Sequence, residues 1–190
     1  MDTKTIAITA VFAALTVALN PAFSRIAVPA PFFPLLSYQI WEIPIVVVFL
    51  LIGRKAGVAI ALINGAISIS FLPNMVTLGD VLACVSMLLG IYLASELITR
   101  KVSRGVIASG RKSVLSYTAF AIVFRILIIA IFDFSLLRYA ILGPSLPETV
   151  IIAIIPPIAL FNATEPLYVI PISYFLARRI GANLKIGNKE

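Results

Sequence analysis

The sequence has 190 residues, of which 61% are hydrophobic and only 12% charged, and its formal net charge is +7. Soluble domains are about 45–50% apolar and about 25% charged, so this composition excludes an ordinary soluble protein and predicts one integral membrane domain over residues 1–190. The single cysteine excludes an internal disulfide, and the lack of histidine removes the usual ligands of haem and of most zinc sites. We therefore predict no metal site and no cofactor.

Six apolar segments approach the length of roughly 20 residues that a transmembrane helix needs. In chain order they cover about 6–23, 35–52, 56–72, 78–99, 114–132 and 149–177. The regular part of the sixth helix is expected to begin at Pro156-Pro157, because proline is tolerated at a helix start but breaks the hydrogen-bond ladder inside a helix. The predicted fold class is all-α: a six-transmembrane-helix bundle surrounded by membrane lipid.

Basic residues are distributed asymmetrically between the connections of these helices. If six helices alternate in direction, every Lys and Arg falls on one side except Arg25, Arg125 and Arg138, and Arg125 lies within helix five. Positive charge accumulates on the cytoplasmic side of membrane proteins. The pattern predicts that both termini are cytoplasmic, and it explains the net charge without a nucleic-acid partner.

The two long outer connections differ from solvated linkers. Residues 24–34, SRIAVPAPFFP, contain three prolines and two phenylalanines, and residues 133–147 are also partly apolar. Both connections are able to fold back over the outer mouth of the bundle. The alternative is that they anchor the bundle in the membrane interface.

Ionisable side chains in the hydrocarbon core of a membrane are costly, and they are usually paired or functional. With a rise of about 1.5 Å per helical residue, Glu42, Arg125 and Glu165 lie about 18–20 Å from the cytoplasmic ends of their predicted helices. Three charges from three helices therefore reach a similar depth. With the polar and aromatic residues expected nearby, they form the predicted substrate-binding set: Asn20, Tyr38, Trp41, Glu42, Asp80, Arg125, Asn162 and Glu165.

Two interpretations of this polar level remain open. In the first, it is a small-molecule pocket open to the outside, in which aromatic faces stack a flat ring and a few polar groups orient it. In the second, Arg125 forms a structural ion pair with either Glu42 or Glu165 that holds the bundle together. Asn64 is interpreted separately as a contact between helices, with the small residue Gly65 allowing close approach.

Helix one carries a different pattern, because Ala10, Ala14 and Ala18 recur every four residues. Such a face of small residues allows another helix to approach closely. The partner is either a helix of this chain or another protein.

These features resemble the substrate-binding S components of energy-coupling factor (ECF) transporters, which import vitamins into prokaryotes. The resemblance rests on the helix-one alanines, on the long first connection followed by residues 38–67 in a riboflavin-type layout, and on LFN at 160–162. It implies a multi-pass protein of the prokaryotic cytoplasmic membrane that captures a vitamin-like molecule from outside and is not an enzyme. It also implies that the alanine face docks on a transmembrane coupling subunit, which works with two ATPase subunits.

One position departs from the riboflavin-type members. Their sixth helix opens with a pattern like N-x-x-K, and here Asn162 matches the asparagine while Glu165 stands where the lysine would be. The reversed charge argues against riboflavin and favours a cationic or hydrogen-donating heterocycle. The resemblance implies that the chain supplies binding only. The sequence agrees with this division, because its nearest approach to a phosphate-binding loop, GVIASGRKS at 105–113, has Arg111 at the lysine position and lies between two membrane helices.

Two other function classes are weighed against the transporter. A stand-alone facilitator needs a continuous polar path, whereas the polar groups of this sequence stop about halfway across the bundle. A small membrane enzyme could use Glu42 and Glu165, but the sequence offers no activated nucleophile beside them.

Overall fold

The computed structural model describes residues 3–20, 27–73, 75–98, 111–139 and 146–184. Within these ranges the chain forms six helices and one two-stranded antiparallel sheet. In chain order the elements are α1 (Thr3–Leu19), β1 (Val28–Ala30), β2 (Phe33–Tyr38), α2 (Glu42–Leu51), α3 (Arg54–Phe71), α4 (Met75–Ile98), α5 (Arg111–Tyr139) and α6 (Glu148–Leu184). The ends of the first and fourth predicted helices, 21–23 and 99, lie outside the described residues, as do 24–26 and 140–145 of the outer connections.

The six helical segments predicted from hydropathy are confirmed, although they differ in length. Four contain stretches long and apolar enough to cross a membrane, namely Arg54–Phe71, Thr77–Leu97, Lys112–Arg138 and Glu148–Asn183. The first and second helices are shorter, at 17 and 10 residues. Large apolar side chains cover the outside of the bundle, as expected for contact with lipid tails: Leu62, Leu115, Val123, Leu127, Ile131, Leu167 and Phe175 are all exposed.

The predicted second helix is wrong over its first part. Residues 35–41 were expected to be helical, but Phe33–Tyr38 form the second strand of a hairpin and the helix begins only at Glu42. Pro44 gives the physical reason. In a helix running from residue 35 its ring would meet the carbonyl of residue 40, whereas in a helix beginning at Glu42 it occupies the first turn, where no backbone donor is needed. The fold is therefore not purely α-helical.

The sixth helix also begins earlier than predicted. It starts at Glu148, so Pro156 and Pro157 lie inside it together with Pro166 and Pro171. Each proline removes one backbone donor and frees a carbonyl of the preceding turn. Membrane helices tolerate this when neighbouring helices and side chains satisfy the freed groups. The hydropathy of the segment, and not its prolines, decides where the helix starts.

Five of the helices close a ring. The chain order α2, α3, α4, α5, α6 is also the order of packing, and α6 returns to pack against α2. The first helix lies outside this ring, against α2 and α3. Close approach within the ring is visible at Gly90 of α4, where a Cβ atom would come within 2.6 Å of the Ala121 Cα atom of α5. Small residues at such crossings are typical of packed membrane helices.

The contact predicted for Asn64 is confirmed. The Asn20 side-chain amide, just beyond α1, donates to Asn64 Oδ1 at 3.2 Å and to Ser68 Oγ at 2.9 Å on α3. On the next helix, Val81 packs so closely on Gly65 that a Cβ atom there would come within 2.7 Å of a Val81 methyl group. Interhelical hydrogen bonds and small residues thus join α1, α3 and α4.

The short second helix is almost completely buried within the bundle. Nine of its ten residues are buried, and Ile45, Val46, Val47 and Val48 have no accessible surface. A helix that is apolar on every side is stable only when it is surrounded by other elements. The Met87, Leu88 and Ile91 side chains of α4 and the Val169 and Ile170 side chains of α6 complete this core. The space between α2, α4 and α6 is therefore packed with apolar side chains.

Candidate functional site

Arg125, in the middle of α5, joins three helices through its guanidinium group. Its Nη1 atom donates to the two Glu42 carboxylate oxygens of α2 at 2.9 and 2.8 Å. Its Nη2 atom binds the Glu165 carboxylate of α6, and its Nε atom donates to Asn162 Oδ1 at 3.0 Å. The alternatives left open by the sequence are both realised, because Arg125 pairs with Glu42 and with Glu165.

This cluster of four side chains is almost completely removed from solvent. Arg125 is 3% exposed, and Glu42, Asn162 and Glu165 are also buried. Buried charges are tolerated only when they are paired and their remaining hydrogen-bonding groups are satisfied. Two carboxylates face one guanidinium, so the formal charge of the cluster is negative.

Local structure explains how these residues meet. Glu42 is the first residue of α2, where the helix dipole favours a negative charge. Asn162 and Glu165 are three residues apart on α6 and therefore share one face. This accounts for the polar residues in the apolar segment FNATEP. The side-chain amide of Asn162 is fixed further by donating to the Ile158 carbonyl at 2.9 Å.

A cavity of about 350 Å³ opens beside the cluster. Its size falls within the range of small-molecule pockets. Aromatic and aliphatic side chains make up most of its wall, and the polar groups are few. The lining residues are Phe33, Leu35, Leu36, Gly79, Asp80, Ala83, Arg125, Ile129, Asp133, Leu136, Leu137, Ile154, Ile158, Phe161 and Asn162.

The hairpin formed by β1 and β2 covers this cavity and is tied to α6. Tyr38, at the end of the second strand, forms a hydrogen bond of 2.9 Å with the Thr164 hydroxyl and packs on the Phe161 ring at 5.0 Å between centroids. The Tyr168 hydroxyl donates to the Gln39 carbonyl at 2.6 Å. Of the two alternatives left open for the first connection, its described part favours folding back over the bundle, because Phe33 lines the cavity.

A smaller cavity of about 80 Å³ adjoins the first under the end of the hairpin. Trp41, Glu42 and Glu165 line this annex, and Asp80 and Arg125 line both spaces. The annex is the polar end of the site, and the larger cavity is the apolar end.

Two further carboxylates line the cavity wall, and the nearest described positive charge to act on one of them, Asp80, is that of Arg125. Asp80 of α4 and Asp133 of α5 each line the cavity, and neither forms a hydrogen bond or ion pair with a residue that the structure describes. Gly79, next to Asp80, leaves open space, since the nearest atom to a Cβ there would be Phe132 Cε1 at 3.8 Å.

The structure gathers most of the predicted binding residues at one place. Asp80, Arg125 and Asn162 line the cavity, and Trp41, Glu42 and Glu165 line the annex. Tyr38 supports the wall from behind Phe161.

Asn20 is not part of this assembly. It lines neither cavity and instead bonds to Asn64 and Ser68 of α3.

Sequence reasoning missed Asp133, Phe161 and the hairpin side chains. Asp133 was assigned to an outer connection, but α5 continues to Tyr139. Its spacing from Arg125 and Ile129, at intervals of four residues, was the signal that places all three on one face of a helix. Within the described residues, no three Cys, Asp or Glu side chains are grouped as metal ligands.

Comparison with known proteins gives the fold a precedent. No family model matches the sequence, and neither does any curated protein. A solved structure, described as that of the S component of a bacterial ECF transporter, matches with a TM-score of 0.71 and 21% sequence identity, over 97% of this chain and 99% of that chain. The chain has the fold of an ECF-transporter S component. The predicted fold is thereby confirmed over nearly its whole length.

We expect Arg125→Met to lower the free energy of unfolding by about 3–5 kcal/mol, because the change leaves two buried carboxylates without a counter-ion. Denaturant unfolding of the purified protein in detergent measures this. Arg138→Met is the matched control, since Arg138 lies on the same helix and its contact with Glu148 is exposed, at 3.7 Å; its expected effect is below about 1 kcal/mol.

The triple change Arg125→Met, Glu42→Gln, Glu165→Gln is expected to recover much of the lost stability, because no unpaired charge remains. Equal unfolding free energies for the Arg125 and Arg138 variants would contradict the role given to this cluster.

Proposed function

We propose that the chain is the substrate-binding S component of an ECF-type importer in a prokaryotic cytoplasmic membrane. It captures a vitamin or related small heterocycle from outside and hands it to a coupling subunit and two ATPase subunits. Its own role is binding, without a chemical step. The proposal is supported by the fold shared with an S component and by the position of the cavity.

The single observation that carries the proposal is a ligand-sized cavity that ends blindly inside the bundle. On one side it is covered by the hairpin, and on the other lies the Arg125 cluster. Beyond the cluster, Ile45, Val47 and Ile91 belong to a packed apolar core. This packed core offers a bound molecule no open polar path, so its release on the other side requires the helices to move. This favours a binding subunit over a channel.

The first helix is the expected contact with the coupling subunit. It lies outside the ring of the other five helices, and Ala10, Ala14 and Ala18 are all exposed. An exposed stripe of small residues allows a partner helix to approach closely. The neighbouring side chains Val11 and Leu15 are also exposed and give such an interface apolar area. In the proposed orientation, in which the cavity opens to the outside, both termini face the cytoplasm.

Gly79→Leu tests whether the cavity holds the ligand. A leucine here projects into the cavity, and its Cβ atom meets no atom closer than 3.8 Å. We expect wild-type protein, purified in detergent and denatured by heat, to release one small molecule per chain, as detected by mass spectrometry. The Gly79→Leu variant should release less than a tenth of that amount. Ala119→Leu, at an exposed position of α5, is the control and should behave like the wild type.

Release of equal amounts from the Gly79→Leu variant would place any bound molecule elsewhere. Release of nothing from any of the three proteins, with no thermal stabilisation by added vitamins, would remove the proposed function.

The coupling role has its own test. We expect the double change Ala10→Leu, Ala14→Leu to abolish co-purification with a co-expressed ECF coupling subunit and its ATPases, because the added side chains hold the partner helix away. Ligand release should be unchanged. The Ala119→Leu control should keep the complex, and a complex that survives the double change would contradict docking through α1.

A further inference from the structure

Three charged side chains lie on the wall of the larger cavity among the described residues: Asp80, Arg125 and Asp133. Their charges are not equivalent for a ligand, because Arg125 is already engaged by protein groups while the two aspartates are not. The charge that a ligand meets is therefore decided by which of these groups has spare bonding capacity.

All three guanidinium nitrogens of Arg125 donate to other side chains. Nε binds Asn162, Nη1 binds both carboxylate oxygens of Glu42, and Nη2 binds Glu165. These bonds use four of the five N–H donors of arginine. An anionic ligand could reach one remaining Nη2 N–H, but to form an ion pair with Arg125 it would have to displace one of two buried carboxylates. Displacing one would leave it uncompensated inside the bundle, which is strongly unfavourable. Arg125 is thus a structural counter-ion and does not form an anion-binding site.

Glu165 does not set the charge of the ligand either. The resemblance to riboflavin-type S components placed it where a ligand-contacting lysine was expected. Its carboxylate instead binds Arg125 and lines the annex, not the main cavity. The preference of the site must come from groups that face the main cavity without a partner.

Asp80 and Asp133 are those groups. Asp80 is half-buried, faces both cavities and lies beside the already negative cluster. Asp133 lies on the same face of α5 as Arg125, about two turns further along the helix. Carboxylates enclosed in a membrane bundle are costly unless a positive group compensates them. Neither aspartate forms an ion pair with a described residue, and the charge of Arg125, which acts on Asp80 at longer range, is already outweighed by Glu42 and Glu165.

We propose that the ligand of this site is a small organic cation: a flat, mainly apolar body that carries a protonated amine, amidine or amino-heterocycle nitrogen. Asp80 binds the charged nitrogen at the polar end of the cavity. Asp133 provides a second negative charge along the α5 wall. The inference rests on the proposed function, because it names the substrate class of the same cavity.

The rest of the wall fits the body of such a ligand. Phe33 from the hairpin and Phe161 from α6 offer aromatic faces, and Ile129 and Ile154 offer aliphatic surface. Aromatic rings attract a cation and also stack on a flat ring. An organic cation is therefore matched at both ends of the cavity, whereas an anion would meet unpaired carboxylates.

The test measures binding to the purified full-length chain in detergent. Trp41 is the only tryptophan of the sequence and lines the annex, so its fluorescence reports on occupancy of the site. The probes are the molecule released by heat, together with thiamine and pyridoxamine as cations, riboflavin as a neutral ring, and biotin and pantothenate as anions. Asp80→Asn and Asp133→Asn remove the charges with little change of shape. Glu148→Gln, an exposed carboxylate on α6, is the control.

We expect a cationic probe to bind the wild-type chain. Asp80→Asn should raise its dissociation constant by about tenfold or more, since hydrogen bonds to charged groups carry energies of that order. Asp133→Asn should raise the dissociation constant less. Glu148→Gln should leave the dissociation constant unchanged. The melting temperature of the ligand-free Asp80→Asn protein should not fall, because an uncompensated charge has been removed; a purely structural aspartate would give a lower melting temperature and the same affinity.

Two results distinguish a failure of the cation inference from a failure of the proposed function. If the bound molecule is neutral or anionic and Asp80→Asn binds it as well as the wild type does, the cation inference is overturned while the binding function stands. If no probe changes the fluorescence and heat releases no molecule, the proposed function fails and the inference fails with it.

Discussion

The structure depends on one buried ionic contact, in which a guanidinium group is shared between two carboxylates. Arg125, Glu42 and Glu165 come from three different helices and lie inside an apolar bundle. None of the three charges is tolerable there alone, because a buried ion without a partner costs several kcal/mol. The contact therefore fixes the relative height and rotation of α2, α5 and α6. Apart from Asp80 and its neighbours on α4, the lining of the site comes from these three helices and from the hairpin that precedes α2.

The same contact divides the ring into two halves with different properties. On one side the core around Ile45 and Met87 is packed mainly with apolar side chains, and on the other the cavity remains open under the hairpin. This division requires α2 to begin no earlier than Glu42, because the residues before it form the strand that covers the cavity. In the proposed function, such a site captures a molecule from one side, and partner subunits that meet the first helix, outside the ring, deliver it to the other.

The sequence predicted the helices and the depth of the charges well, because both follow from hydropathy and from the fixed rise of a helix. It did not predict that Arg125 binds both Glu42 and Glu165, since depth says nothing about rotation around a helix axis. Residues 35–41 were misjudged because a short apolar run suits a strand as well as a helix. Asn20 was grouped with the site because its estimated depth is close to that of the charged residues, although its side chain bonds to α3. Asp133 was missed because the end of α5 was placed too early.

The most direct test of the account is an experimental structure of the chain purified from its native membrane, with its ligand retained. The account predicts density for one small molecule between Asp80, Phe33 and Phe161, with Arg125 still bound to Glu42 and Glu165 and with the hairpin closed over the molecule. A cavity that contains only a lipid or detergent chain would contradict it. So would an Arg125 side chain turned away from either carboxylate to bind the ligand.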